Sequence, residues 1–460
     1  MNSKSIFRFI RISIVYIALC TGSSFAQQSS TVELLAQLNH RPIFHYNDCW
    51  GYTAPDGREY ALLGSTNGTS IIDITDVSNL HEIAFFQTIN TTWKDIKTYK
   101  HYAYIVTDGQ GTGMQIIDLS TLPDSARLVS TYRGNNFRLS HNIFIDEPNA
   151  MLYAIGEVGE WVRAISLADP ENPVQVSAFG YECHDIYARD NKVYVAEGSR
   201  GSIAIYDLTS PQTPTLAGRF FIPSAGYAHN CWLSEDGNYL MTTEETYGKT
   251  VKYWDIRDLN DVKLVDNYLA PEMLAHNAHI KGRYAYISHY TDGLRILDLQ
   301  DPSNIQEVGY YDTFPDFSFS LFAGAWGAFP FFDSGKILIS DISTGLYIVR
   351  FTPTSTGIED TELPAEFALH PNYPNPFNPS TVIPFSLPQT AHTTLDIYTV
   401  AGQKIRRLID AQYGAGQYKI TWDGRDDFGW IAPAGMYFFR LQAQIESRVL
   451  TRIQKGLLVK

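Results

Sequence analysis

One unit recurs seven times along this chain at a period of about 40–50 residues, and that periodicity limits the fold more than any other feature. Its clearest mark is a Gly, an alternating apolar run and a closing Asp: Gly68–Asp73 (GTSIID), Gly113–Asp118 (GMQIID), Gly201–Asp207 (GSIAIYD) and Gly293–Asp298 (GLRILD). Val251–Asp255 (VKYWD), Trp161–Ser166 (WVRAIS) and Gly345–Arg350 (GLYIVR) are looser copies. About ten residues upstream of these runs lie apolar, Tyr-rich strands such as Tyr60–Leu63, Tyr102–Ile105, Val193–Val195 and Tyr284–Ile287. Further upstream, a first-strand mark centres on Trp50-Gly51, Trp93-Lys94-Asp95, His141-Asn142, His184-Asp185, His229-Asn230, His276-Asn277 and Trp326-Gly327, spaced 43, 48, 43, 45, 47 and 50 residues apart. A turn such as Asp301-Pro302 or Asp169-Pro170 then leads to a fourth apolar stretch, as in Glu307–Tyr311 or Val174–Phe179. Four strands per unit at this period predict an all-β fold, a seven-bladed β-propeller.

The last unit has no fourth strand of its own, because after Phe351 the chain turns to Thr, Pro, Ser and Gly. Thr31–Leu38 (TVELLAQL) reads like the fourth strands elsewhere and precedes the first unit, so it is predicted to complete the seventh blade and cover its edge. Aromatic residues at 13% suit half-buried pleated strands, and 33 Gly with 22 Pro supply the turns. Against 35 Lys plus Arg stand 49 Asp plus Glu, a formal charge of −14 that repels phosphate backbones and argues against a nucleic-acid partner.

The repeats GLRILDLQDP, GSIAIYDLTSP and GMQIIDLS resemble LVIVD repeats. With Asp48–Gly51, WKDIKTYKHYAYIV and SHNIFIDE, the region 31–351 resembles the choice-of-anchor B family of exported propellers. That resemblance implies a propeller with a C-terminal anchoring device and brings no catalytic residues.

The two ends read differently from the repeats. Lys4, Arg8 and Arg11, the apolar Ile12–Cys20 and Ser24-Phe25-Ala26 have the layout of a signal peptide cleaved after Ala26. The apolar run is too short to span a bilayer, no later segment qualifies, and Leu19 before Cys20 departs from a lipobox. Cys49, Cys183 and Cys231 remain, an odd count read as buried free thiols. The expected organisation is 1–26 signal peptide, 27–351 propeller, 352–363 linker and 364–460 a small Ig-like sandwich. Strands are predicted there at Val382–Leu387, Thr394–Tyr398, Gln417–Trp422 and Gly435–Leu441. The opening PNYPNPFNPST, LDIYTVAGQKIRRL, WDGRDDFGWIAPAGMYFFRL and the ending KGLLVK resemble a type A sorting domain of type IX secretion. That resemblance implies the secretion machinery as a partner, and a secreted or cell-surface location reached through the periplasm.

No nucleophile elbow, phosphate-cradling Gly loop or HExxH occurs. Gln110–Gly113 reads as a hairpin turn, and Asp423, Asp426 and Asp427 as turn caps. One constellation remains. His141, His184, His229 and His276 hold equivalent positions on four consecutive blades, with Trp50, Trp93 and Trp326 placed at the matching positions of the other three. Ring symmetry brings all seven toward the axis, together with Asp95, Asn142, Asp185, Asn230, Asn277 and Cys231 as funnel lining. Two readings stand: inter-blade hydrogen bonding, or a site for a divalent transition metal or a polar ligand. The corresponding functions are a non-catalytic module binding an extracellular protein or glycan, and a metal-dependent enzyme.

Overall fold

The computed structural model describes residues 28–459 apart from 157–160, 272, 315–321, 354–366, 390, 414–415, 428 and 446–447. The expected signal peptide and most of the expected linker lie outside these residues. The described chain divides into two compact units, one up to Thr354 and one from Ser355.

The closing Asp of the repeat is a strand terminator. Its Oδ1 accepts the N–H two residues on: Thr75 from Asp73 at 2.8 Å, Ser120 from Asp118 at 2.9 Å, Thr209 from Asp207 at 2.8 Å and Gln300 from Asp298 at 3.0 Å. In the third blade, Ser166 Oγ accepts the Ala168 N–H at 3.3 Å in the same way. The repeat's Gly answers to a second constraint, since Gly293 and Gly345 have φ of +71° and +94°. A Cβ on Gly293 would stand 2.1 Å from the Tyr311 carbonyl oxygen.

Between these punctuations the strands pair as seven four-stranded antiparallel sheets, the blades of the propeller. The first strands are Tyr46–Thr53, Lys94–Tyr99, Ile143–Asp146, Asp185–Arg189, Ala228–Leu233, Ala278–Lys281 and Ala325–Phe329. First strands of adjacent blades touch around the ring, except that between blades six and seven Tyr284–Ser288 meets Ala325–Phe329, which sets them around the axis. Second and third strands are buried on both faces, because each blade is sandwiched between two others: Glu59–Ser65 and Gly68–Asp73 are buried throughout. The core is therefore a set of inter-blade layers, such as Tyr104, Ile116, Ile143 and Ile165 between blades two and three. In the seventh blade Val32–Leu38 pairs antiparallel with Gly345–Phe351, from Val32 opposite Phe351 to Leu38 opposite Leu346. Cys49, Cys183 and Cys231 are buried free thiols.

The second unit is a two-sheet sandwich. Ala368–Leu369, Thr381–Leu387 and Gly416–Trp422 face Lys404–Tyr413, Ala391–Thr399, Gly435–Ile445 and Arg448–Leu458 across a core of Phe385, Leu395, Trp422 and Phe439. Lys404–Tyr413 (KIRRLIDAQY) is not among the strands expected from sequence, because its charged residues obscure the alternation. The Pro/Asn opening is woven into the C-terminal strand: Phe377 N–H donates to Leu457 O at 3.0 Å, and Asn375 Oδ1 accepts the Leu457 N–H at 3.0 Å. Asp423, Asp426 and Asp427 accept the N–H groups of Arg425, Trp430 and Arg407 at 2.9–3.0 Å.

Candidate functional site

The innermost strands place side chains in three tiers along the axis of the propeller. The middle tier holds Asp48, Asp95, Asn142, Asp185, Asn230 and Asn277, of which Asp95, Asn142, Asp185 and Asn230 stitch blades together. Asp95 Oδ2 accepts the Ile143 N–H at 2.6 Å, Asn142 Nδ2 donates to His184 O at 3.0 Å, and Asn230 Oδ1 accepts the Ala278 N–H at 3.1 Å. The seventh blade carries Gly327 here, because a Cβ would stand 2.2 Å from Asp48 Oδ1. Lys97 pairs with Asp95 and lies 3.8 Å from Asp48. Burial pushes Asp185 up to about 6; it also pushes Asp95 up, but there the Lys97 charge together with hydrogen bonds from Asp48, the Ile143 N–H and Lys97 prevails and holds the carboxyl low. These groups line a chamber of about 30 Å³, the scale of a water molecule.

Two residues further along every first strand but that of the second blade, which carries Lys97, aromatic rings close one end of the channel. Trp232 stacks on Phe331 at 5.6 Å, and Trp50 packs edge-on to Phe329 at 4.9 Å with Lys97 Nζ 4.4 Å over its ring. This corrects the sequence placement of Trp50. Asn47, not Trp50, is the counterpart of His229, and Asp48 of Asn230, so the Trp-Gly pairs at 50 and 326 are not equivalent. The first blade presents Asn47 at the histidine position, with Nδ2 donating to Thr92 O at 2.9 Å.

One residue before the middle tier lies the third tier. Trp93, His141, His184, His229, His276 and Trp326 form a closed circle of rings with successive centroids 4.1–6.0 Å apart. Cys231 does not join them. The strand slips register between Ala228 and Asn230, which takes His229 out of alternation, and Cys231 Sγ instead faces Tyr194 O at 3.7 Å inside a blade interface.

Hydrogen bonding sets the tautomers. Nδ1 of His184 lies 3.1 Å from His229 O, Nδ1 of His229 lies 3.1 Å from His276 O, and Nδ1 of His276 lies 2.5 Å from Trp326 O. A carbonyl only accepts, so each Nδ1 carries the hydrogen and each neutral ring keeps its lone pair on Nε2. Burial, reinforced for His184 and His229 by the neighbouring imidazoles, holds His184 and His276 down at about 3 and His229 well below its usual value. His141 differs: burial pushes it down, but Asp108, 3.0 Å from its Nδ1, prevails and raises it.

The circle floors a cavity of about 840 Å³, walled by Trp93, Tyr227, Tyr290, Phe322 and Trp326 and edged by Asp108 and Glu245. Glu245 Oε2 lies 3.8 Å from His229 Nε2, and its Oε1 accepts the Tyr290 hydroxyl. Burial raises the Glu245 carboxyl. Donor atoms of His184, His229 and Glu245 all lie within 4.8 Å of one another. Tyr290 has φ of +44°, a left-handed backbone that costs a bulky side chain energy, and reciprocal bonds with Ala325 at 2.9 and 3.1 Å hold it there. Sequence reasoning missed Asp108, Glu245 and Tyr290. Each comes just after a second strand, at the end facing the cavity, so the same register that aligns the histidines would have aligned them.

Residues 274–313 match the LVIVD repeat. Residues 377–447 match the FlgD Ig-like domain. No curated protein matches the chain. Among solved structures, Raptor of Chaetomium thermophilum is similar at a TM-score of 0.52 and 12% identity, over 70% of this chain and 29% of that one. PorZ of Porphyromonas gingivalis, an essential bacterial surface component of the type-IX secretion system, is similar at a TM-score of 0.43 and 13% identity, over 88% of this chain and 58% of that one. The chain thus spans less than two thirds of either protein, and likeness at such identity concerns fold alone. Among the described residues, no helix is long and apolar enough to cross a membrane.

Proposed function

We propose that this chain is an exported propeller of the choice-of-anchor B kind, delivered by type IX secretion and working outside the cell as a non-catalytic binding module. The cavity at the mouth of the propeller carries the binding half of this reading. At about 840 Å³ it falls in the size range of ligand pockets, with aromatic walls, a closed floor and a few polar groups at its edge. Such a funnel suits a protruding terminal group of a glycan or peptide, stacked on Trp93 and Trp326 and oriented by Glu245 and Asp108.

Trp93 is 38% exposed, so its removal spares the core. Binding of the mature protein to glycan and peptide arrays, repeated with Trp93→Ala, tests the reading: a bound class lost or weakened roughly tenfold supports it, since an anchoring aromatic is worth about 1.4 kcal/mol or more. Unchanged binding by the variant overturns it. The delivery half rests on the Pro/Asn opening and the basic-apolar tail, which pair with each other in the sandwich. A chain ending at Thr352 is expected to collect in the periplasm as a folded propeller, and its arrival outside the cell would refute sorting by this module.

A further inference from the structure

We propose that His184, His229 and Glu245 hold a divalent transition-metal cation of the zinc type at the floor of the cavity, with a coordination position left open to the space above. The proposal deepens the binding reading of the cavity. It begins from a conflict between acceptors. With Nδ1 of His229 committed to the His276 carbonyl, Nε2 presents a lone pair, and the Glu245 carboxylate stands 3.8 Å in front of it. That separation is too long for a hydrogen bond, and it leaves two electron-rich groups facing each other across a gap that a cation fills with favourable contacts to both. His184 brings a second Nε2 of the same tautomer to the same point.

The spacing suits a small cation. Tetrahedral coordination with bonds of about 2.0–2.1 Å sets donors about 3.4 Å apart. The His229–Glu245 edge is within a few tenths of an ångström of that, and the remaining edges, none above 4.8 Å, close by rotation of the half-buried Glu245 side chain toward His184. Each donor is oriented from behind, the imidazoles by backbone carbonyls and the carboxylate by the Tyr290 hydroxyl. The strained backbone of Tyr290 makes sense if its hydroxyl must reach Glu245. Two imidazoles and one carboxylate form the mixed N/O set of open zinc sites, and a ring serving only to join blades has no use for the carboxylate. His141 lies outside the group, whose donor atoms within 4.8 Å of one another are those of His184, His229 and Glu245.

The test uses the mature full-length protein, stripped with chelator, incubated with zinc or cobalt chloride, desalted and analysed for metal. About one equivalent per chain is expected, with visible ligand-field absorption for cobalt. Glu245→Gln and His184→Ala should each weaken retention roughly tenfold or more in competition with a chromophoric chelator, while His81→Ala, on an outer strand, changes nothing. Glu245→Gln is nearly isosteric, and circular dichroism confirms that each variant is folded. Sub-stoichiometric metal in the wild type, or equal retention by folded Glu245→Gln and His184→Ala, overturns the proposal. Ligand binding by the stripped wild type would show the cavity reading to survive that failure, and metal without any array ligand would show the reverse.

Discussion

Asn230 Nδ2 donates to Asp185 Oδ2 at 2.7 Å across one blade boundary, while Asn230 Oδ1 accepts the Ala278 N–H across the next. One carboxamide thus joins three consecutive blades, which neither Asp nor Leu at that position does. Replacing Asn230 by Ala strands a buried carboxylate oxygen and a buried N–H, at a cost of about 1–3 kcal/mol for each. Asn142→Ala, which removes one half-buried bond to His184 O, should cost less. Urea titration of both variants, followed by Trp fluorescence, checks the order; equal losses would deny Asn230 its bridging role.

Lys97 is buried in the channel interior with Asp95 and Asp48, and those carboxylates outweigh burial to keep its ammonium charged. Lys97→Met removes the counter-charge and leaves the carboxylates buried, so it should destabilise the propeller by about 3–5 kcal/mol. Calorimetric unfolding of the variant is the measurement, and a melting temperature equal to wild type would contradict the pairing.

The Val32–Leu38 strand is the outer edge of the seventh blade, and Val32 is buried against blades six and seven. Val32→Ala is expected to cost about 1–3 kcal/mol. Deletion of residues 28–38 should lower the melting temperature further, because it also exposes the ladder groups of Gly345–Phe351. An unchanged melt after deletion would mean that the ring does not depend on this strand.

In the sandwich, Asp396 is fully buried, and its carboxyl is held below the usual range: burial pushes it up, but hydrogen bonds from Arg407 and Arg440 prevail. A depressed folded-state value means that this stabilisation is complete above the unfolded carboxylate range and is lost as pH falls through the folded value. Asp396→Asn should therefore be less stable than wild type at pH 7, and the gap should close under acid. Chemical denaturation of both chains across that range decides it, with a gap independent of pH as the contrary outcome.

Much of this was legible in the chain because β-propellers repeat their chemistry. Where a third strand carries them, the opening Gly, as at 113, 201, 293 and 345, announces a left-handed turn and the closing Asp an Asx terminator, and both are local requirements that a sequence states directly. The Pro-rich opening at 371–379 likewise marks a second module, although a strand as charged as Lys404–Tyr413 does not announce itself.

The axial site was only half legible, for a reason of geometry. Sequence alone determined that His141, His184, His229 and His276 share a register position, since each opens a recurring His-Asn or His-Asp first-strand mark, spaced 43, 45 and 47 residues apart. It did not determine the register of the first blade, where a chance Trp-Gly pair hid Asn47, nor the slip at Ala228–Asn230 that turns His229 toward the axis and Cys231 away. Which imidazole nitrogen keeps its lone pair was decided by backbone carbonyls on the neighbouring blade, 45 or more residues away in sequence. Glu245 and Tyr290 meet for the same reason: they belong to consecutive blades, and only the packing of one blade on the next brings them within bonding reach.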